Sequence, residues 1–232
     1  MNKILIYHHL GLGDAIECNG MVRCYADTFD QVDIFSKDSY YDMISYMYRD
    51  DKKIKIHQID SKNEYQETSK FINSYDGRLL IAGHSEYFQN LSFFESKNFG
   101  PGESFYYIAK IPWNFRNSYF HLERNEEQEK RVFKKLNPNN DKFIFIHDDL
   151  QRGFKINVNT DLKIIRNDTS ENLFFMTKLL EEAEEIHCMS SSMLCYIDCL
   201  SSKIAFKNLF LHYNIRKVKL GSNSLFADWK II

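Results

Sequence analysis

Short apolar runs that alternate with helix-like segments constrain the fold of this chain more than any other feature. In the first half, the runs that predict strands are residues 4–8, 31–35, 54–59 and 79–82. The intervening segments 15–29, 39–49 and 64–75 have helical spacing. Strands and helices that alternate at this pitch form βαβ units, which build a parallel sheet. The first half is therefore predicted to be a Rossmann-like α/β unit.

The same alternation returns in the second half. Strands are predicted at 143–147, 162–165, 185–189 and 204–211, with helices at 171–183 and 191–200. A charged helix at 123–136 is followed by Asn137-Pro138-Asn139-Asn140-Asp141, which is typical of a linker. We therefore predict an N-terminal Rossmann-like half at 1–137 and a C-terminal one at 138–232, facing each other across a cleft. Residues 83–118 give no clear pattern.

The amino-acid composition excludes some classes of protein and favours others. The 232 residues carry a formal net charge of −2, and no run of Lys or Arg is long enough for a nucleic-acid patch, so the chain lacks the phosphate-neutralising surface of a dedicated nucleic-acid binder. The five Cys residues lack metal-site spacing, which favours a reducing, cytoplasmic setting. No apolar stretch is long enough to span a membrane. Peripheral contact with a membrane remains open.

The first candidate site follows the first predicted strand. Gly11 and Gly13 permit a tight turn into a helix, and Asp14 comes directly after them. The N-terminus of a helix favours an anionic group. The dinucleotide fingerprint fails because Ile16 stands where its third glycine belongs, so an oxidoreductase is disfavoured. The alternative is that the glycines only make the turn and Asp14 only caps the helix.

The second candidate site is the serine run Ser190, Ser191 and Ser192, which ends a predicted strand and opens a predicted helix. Backbone amides and hydroxyl groups at a helix N-terminus suit a diphosphate. N-capping by serine is the structural alternative, although a cap needs only one such residue.

The third candidate site is the loop after the strand at 143–147. Arg152 can bind a phosphate through two hydrogen bonds, and Lys155 adds a positive charge. Asp148 and Asp149 could be interpreted as metal ligands, but successive strand residues point to opposite faces, so no metal site is predicted.

Taken together, the three sites resemble the heptosyltransferase-like glycosyltransferases of the GT-B fold. The match is carried by Gly13-Asp14 after the first strand, by Arg152 and Lys155 in the second half, and by Ser190 to Ser192 at the start of the last helix. The resemblance implies inverting, metal-independent transfer of a sugar from a nucleotide sugar to a hydroxyl group of a glycan or another acceptor, with no cofactor besides the donor substrate.

The resemblance also assigns roles to residues. Asp14 would be the general base, and His9 would be the reserve base if Asp14 only caps the helix. Gly11, Gly13, Arg152, Lys155 and the serine run would hold the diphosphate. Two alternatives remain: a catalytically degenerate protein that binds without transfer, and another Rossmann-fold transferase such as a methyltransferase. The latter would want an acidic residue at the end of the second strand, where Phe35-Ser36-Lys37 stands.

Overall fold

The computed structural model describes residues 1–218, 220–221 and 224–232, and the chain divides into two compact units. The first unit comprises Met1–Glu123 and the described residues between 219 and 224. The second comprises Arg124–Val218 and Leu225–Ile232. Each unit contains one parallel sheet, so the predicted α/β class with two Rossmann-like parallel sheets is confirmed.

The sheet of the first unit has four strands in the order β3-β2-β1-β4, all parallel. They are β1 (Lys3–His8), β2 (Gln31–Lys37), β3 (Ile54–Ile59) and β4 (Arg78–Ala82). The described helices of this unit are α1 (Leu12–Glu17), α2 (Asn19–Ala26), α3 (Tyr41–Met47), α4 (Glu64–Ser74), α5 (His84–Gln89), α6 (Leu91–Ser96), α7 (Pro101–Ile108) and α8 (Phe115–Ser118). A 3-10 turn, Asp38–Tyr40, precedes α3.

The sheet of the second unit has five strands in the order β6-β5-β7-β8-β9, again all parallel. They are β5 (Phe143–His147), β6 (Lys163–Arg166), β7 (Glu185–Cys188), β8 (Leu209–Leu211) and β9 (Trp229–Ile231). The described helices are α9 (Glu126–Leu136), α10 (Thr177–Glu182) and α11 (Ser192–Leu200), with 3-10 turns at Leu150–Arg152 and Leu173–Met176.

Central strands buried on both faces explain why the sheets are parallel. Ile4, Leu5 and Ile6 of β1 are buried, as is the whole run from Phe143 to Ile146 in β5. A strand covered on both faces has a continuous apolar run instead of alternation. On one face of the first sheet, Leu5 and Phe35 pack with Phe71 of α4.

The strand order reverses once in each sheet. From β1 the chain moves outward through β2 and β3 and then returns to place β4 on the other side of β1. In the second unit, β6 and β7 flank β5 in the same way. Open α/β sheets bind ligands outside the carboxyl ends of their strands at such a reversal. The reversals lie between β1 and β4 and between β5 and β7.

The division of the chain lies earlier than the expected boundary after residue 137, because α9 packs with the second unit. Val132 of α9 is fully buried, and Arg131 and Lys135 form ion pairs with Glu171. The predicted linker at residues 137–141 is a tight turn. The side-chain amide of Asn137 donates to the carbonyl oxygen of Asp141, and its side-chain oxygen accepts from the Asp141 amide.

The C-terminal tail adds a strand that the sequence did not predict. Asp198 of α11 is fully buried and accepts hydrogen bonds from the amides of Phe226 and Ala227 and from the indole of Trp229, at 3.0–3.1 Å. These bonds bring Trp229–Ile231 beside β8 as β9. The predicted strand 204–211 shortens to Leu209–Leu211, since the amide of Ile204 still bonds to the end of α11.

The segment 83–118, where the pattern is weak, forms the four short helices α5 to α8. The predicted helix 15–29 is interrupted at Cys18, which separates α1 from α2. Within the described residues, every helix is too short or too polar to cross a membrane.

A buried carboxylate joins three elements of the first unit. Asp33 of β2 accepts hydrogen bonds from His57 of β3 at 2.6 Å, from the Tyr75 hydroxyl at 2.6 Å and from Gln31 at 2.9 Å. Burial by itself would raise the pKa of Asp33, but these donors outweigh it and hold that pKa below its ordinary value. Because the carboxylate is favoured in the folded state, it contributes stability above about pH 4.

We expect Asp33→Asn to lower the free energy of unfolding at pH 7 by about 1–3 kcal/mol, because partly buried donors lose their charged acceptor. The variant should also lose less stability than the parent as the pH falls below about 4. Urea unfolding across pH measures both effects. Asp76→Asn, at an exposed aspartate of the same unit, is the matched control. Equal acid sensitivity of parent and Asp33→Asn would contradict this role.

Candidate functional site

The strand reversal of the first unit brings together residues that follow β1 and β4. The two strands are neighbours in register, with His8 opposite Ala82. The chain leaves β1 through His9 and Gly11 into α1, and leaves β4 through Gly83 into α5, which begins at His84. The carboxyl edge of this sheet therefore carries the first predicted site.

His9, Asp14 and His84 form one cluster at this edge. The Asp14 Oδ1 atom lies 3.3 Å from the Nε2 atom of His84, and the rings of His9 and His84 lie 4.1 Å apart between centroids. One ring nitrogen of each histidine and one oxygen of Asp14 all lie within 4.8 Å of one another. Each side chain is partly exposed. We call these three residues the His-Asp-His cluster.

Asp14 does not occupy the capping position of α1. Gly11 is the N-cap residue, and Asp14 lies in the first turn of the helix, as does Gly13. A Cβ atom on Gly11 would lie 2.5 Å from the Asp14 Oδ2 atom, so a larger residue would displace the carboxylate. Gly11 therefore has a steric role, and the hypothesis that Asp14 only caps the helix loses support.

Burial and neighbouring charges set the electrostatics of the cluster. Burial lowers the pKa of His9, the Asp14 carboxylate raises it in part, and His84 lowers it further. The free base of His9 is thus favoured, which suits an acceptor of protons. His8, the residue before His9, is almost fully buried, and burial lowers its pKa as well.

His84 was not predicted from the sequence. His84 stood alone in the sequence, and only the pairing of β1 with β4 brings it to Asp14. Glu17, the last residue of α1, pairs with buried Arg116 at 3.3 Å. The sequence places His84 two residues after the predicted strand at 79–82, but it does not show that this strand lies beside β1.

The strand reversal of the second unit carries the serine run. Ser190 follows β7 and is buried, and its Oγ atom has no hydrogen-bond partner within the described residues. Ser191 is the N-cap of α11 and accepts from the Leu194 amide at 3.5 Å, while Ser192 is the first helical residue. One serine therefore caps the helix, and two further hydroxyl groups lie at the same helix end.

Arg216 is a second residue that the sequence did not reveal. Its Nη1 atom donates to the carbonyl oxygen of Ser190 at 2.9 Å, so its guanidinium lies against the serine run. An arginine beside a helix N-terminus adds positive charge where an anion is already favoured.

The side chains of the loop after β5 have contacts that differ from the prediction. The Nε atom of Arg152 donates to Asp149 at 2.5 Å, and its side chain is largely exposed. Lys155 is exposed. Asp148 is buried and accepts from the Ile156 amide and from Arg166. Within the described chain, neither aspartate belongs to a group of three potential metal ligands.

His147 ends β5 opposite Cys188 of β7, at the second reversal. Burial lowers the pKa of His147 to about 4, although the carboxylates of Asp148 and Asp149 act in the opposite direction. The imidazole is therefore neutral at physiological pH and adds no charge to the site.

Comparison with known proteins supports the fold. No protein-family model matches the sequence, and no curated protein matches it. Solved structures do match. A glycosyl transferase family 9 protein from Veillonella parvula aligns over 100% of this chain and 86% of its own, with 10% identity and a TM-score of 0.60. The ADP-heptose lipopolysaccharide heptosyltransferase II of E. coli aligns over 99% and 90%, with 10% identity and a TM-score of 0.52.

At this identity the likeness concerns the fold. The chain has the two-sheet α/β fold of these GT-B glycosyltransferases, as the sequence resemblance implied.

We expect the His147 imidazole to titrate at about pH 4 in the folded protein, as followed by its ring-proton NMR signals. Asp149→Asn should lower the pKa of His147 further, because the negative charge of Asp149 favours the imidazolium and the substitution removes that charge. Asp161→Asn, at an exposed aspartate of the same unit, should leave it unchanged. Titration near the ordinary histidine pKa of about 6.5 would show that His147 is hydrated.

Proposed function

We propose that this protein is a glycosyltransferase that moves a sugar from a nucleotide sugar to an acceptor hydroxyl, with inversion and without a metal at the leaving group. The observation that carries the proposal is that each sheet presents a suitable group at its strand reversal. The first presents the Asp14 carboxylate, and the second presents the serine run at the N-terminus of α11. The fold of solved glycosyltransferases supports the same reaction class.

In this proposal Asp14 takes the proton of the acceptor hydroxyl as the hydroxyl oxygen attacks the anomeric carbon. A base must lie within hydrogen-bond reach of the acceptor. The Asp14 side chain is 22% exposed, so it is accessible from the edge of the sheet. His84 lies 3.3 Å away and provides a route by which the proton leaves Asp14. His9 is the reserve base.

The donor diphosphate would bind at the second reversal. Amides at the start of α11, the Ser190 to Ser192 hydroxyls and the Arg216 guanidinium are donors for its oxygens. They would stabilise the charge that develops as the diphosphate leaves. Lys155 and Arg152 complete the proposed set, although Arg152 must first exchange its bond to Asp149. Gly11 and Gly13, which the resemblance also assigns to the donor, lie at the start of α1 in the first unit.

We expect Asp14→Asn to reduce turnover of a sugar nucleotide by roughly a hundred- to ten-thousandfold, the usual contribution of a general base. Affinity for the nucleotide should be retained, because the proposed donor site lies in the other unit. The measurement is product formation with a panel of sugar nucleotides, which a thermal-shift screen first narrows. Asp42→Asn changes an exposed aspartate in the first turn of α3 and is the control.

Two outcomes separate the proposal from its alternatives. Unchanged turnover in Asp14→Asn would remove Asp14 as the base. Nucleotide binding by the parent without any transfer would instead support a binding protein that retains the fold. Stabilisation by S-adenosylmethionine, and not by nucleotides, would favour a methyltransferase.

Arg216→Ala should weaken binding of the matching nucleoside diphosphate by roughly ten- to hundredfold, since a hydrogen bond to a charged group contributes about 1.5–3 kcal/mol. Arg152→Ala should have a smaller effect, because Arg152 is paired with Asp149. Isothermal titration calorimetry measures both affinities, with Arg131→Ala on α9 as the control. An equal or larger loss in Arg152→Ala would reverse this order of importance.

A further inference from the structure

We propose that the His-Asp-His cluster of the first unit is a binding site for a divalent transition-metal cation such as Zn²⁺. The proposed metal site goes beyond the proposed function and does not rest on it, since all three residues of the cluster lie in the first unit.

The separations of the ligand atoms fit such an ion. Zinc bonds to nitrogen and oxygen are about 2.0–2.2 Å, so tetrahedral ligand atoms lie roughly 3.2–3.6 Å apart. The Asp14 Oδ1 and His84 Nε2 atoms are already 3.3 Å apart. All three ligand atoms lie within 4.8 Å of one another, so small side-chain rotations bring them to one centre.

The types of ligand also fit. Two imidazoles and one carboxylate form a three-residue donor set that leaves further positions for water, which is the pattern of open zinc sites. Imidazole suits zinc, copper, nickel and iron, while Mg²⁺ and Ca²⁺ prefer oxygen. The cluster therefore selects transition metals over Mg²⁺.

The backbone holds the three ligands together. His9 and His84 follow the paired strands β1 and β4, and Asp14 is fixed in the first turn of α1. A Cβ atom on Gly83 would lie 3.3 Å from the His9 amide nitrogen, so the two loops pack closely. Ligands supplied by paired strand ends and a helix need little ordering when the metal binds.

Because Asp14 is a ligand in the proposed metal site, metal binding would change its ability to act as a base. A carboxylate that coordinates a divalent cation is a much weaker base, because the cation competes with the proton for its oxygens. If the chain transfers a sugar, added Zn²⁺ therefore inhibits the transfer reaction. A chelator reverses this inhibition, and the reaction needs no chelator when Zn²⁺ has not been added. Metal binding itself is measured without any sugar, so a failure of the glycosyltransferase proposal leaves this one testable.

The experiment is titration of the full chain with Zn²⁺ by calorimetry, and with Co²⁺ by the visible absorption of the bound ion, under reducing conditions. We expect one ion per chain. His9→Gln, Asp14→Asn and His84→Gln should each weaken binding by at least roughly 10–100-fold, which is the loss typical of a residue that only supports a ligand. Melting curves without metal verify that each variant is folded.

The matched control is His121→Gln. His121 also faces a carboxylate, that of Asp50 at 3.4 Å, but it belongs to no group of three ligands within the described residues. Its affinity for Zn²⁺ should equal that of the parent. The proposal is overturned if the parent binds no Zn²⁺, or if binding survives in all three cluster variants, as it would if cysteines held the ion.

Discussion

The pairing of β1 with β4, and of β5 with β7, is the constraint on which the rest of the structure depends. Parallel strands end at one edge, and only at a reversal of strand order do the two following loops diverge and leave space between them. His9 and Asp14 follow β1, and His84 follows β4. His147 and the serine run meet in the same way beside β5 and β7. The chemistry at each edge is thus a product of sheet topology.

Much of the fold could be predicted because the central strands are buried on both faces. The run from Phe143 to Ile146 is apolar at every position, and β5 has the predicted bounds. β9 escaped prediction because it has only three residues, of which Lys230 and Ile231 are exposed. The helices α5 to α8 escaped it because short aromatic-rich segments have no clear period.

Some residues of the candidate sites could likewise be predicted from the sequence, and others could not. Asp14 and the serine run could be found because each directly follows a strand in the sequence, where a helix N-terminus is expected. His84 and Arg216 could not, because their neighbours in space are distant in sequence: His84 lies beside Asp14, and Arg216 beside Ser190. Arg152 was identified by residue type, but type alone does not reveal the ion pair with Asp149. Such partners depend on long-range contacts, which a local pattern does not encode.

The two ends of α11 have different structural roles. At its start Ser191 caps the helix beside the proposed diphosphate position, and near its end Asp198 holds the amides of the tail. The two groups are thus joined by one continuous nine-residue helix. If binding at the serine end shifts the helix, it changes how Asp198 holds the tail, and by reciprocity docking of β9 then changes the affinity at the serine end by the same factor. Amide hydrogen exchange in the tail would then report on an anion bound a helix length away.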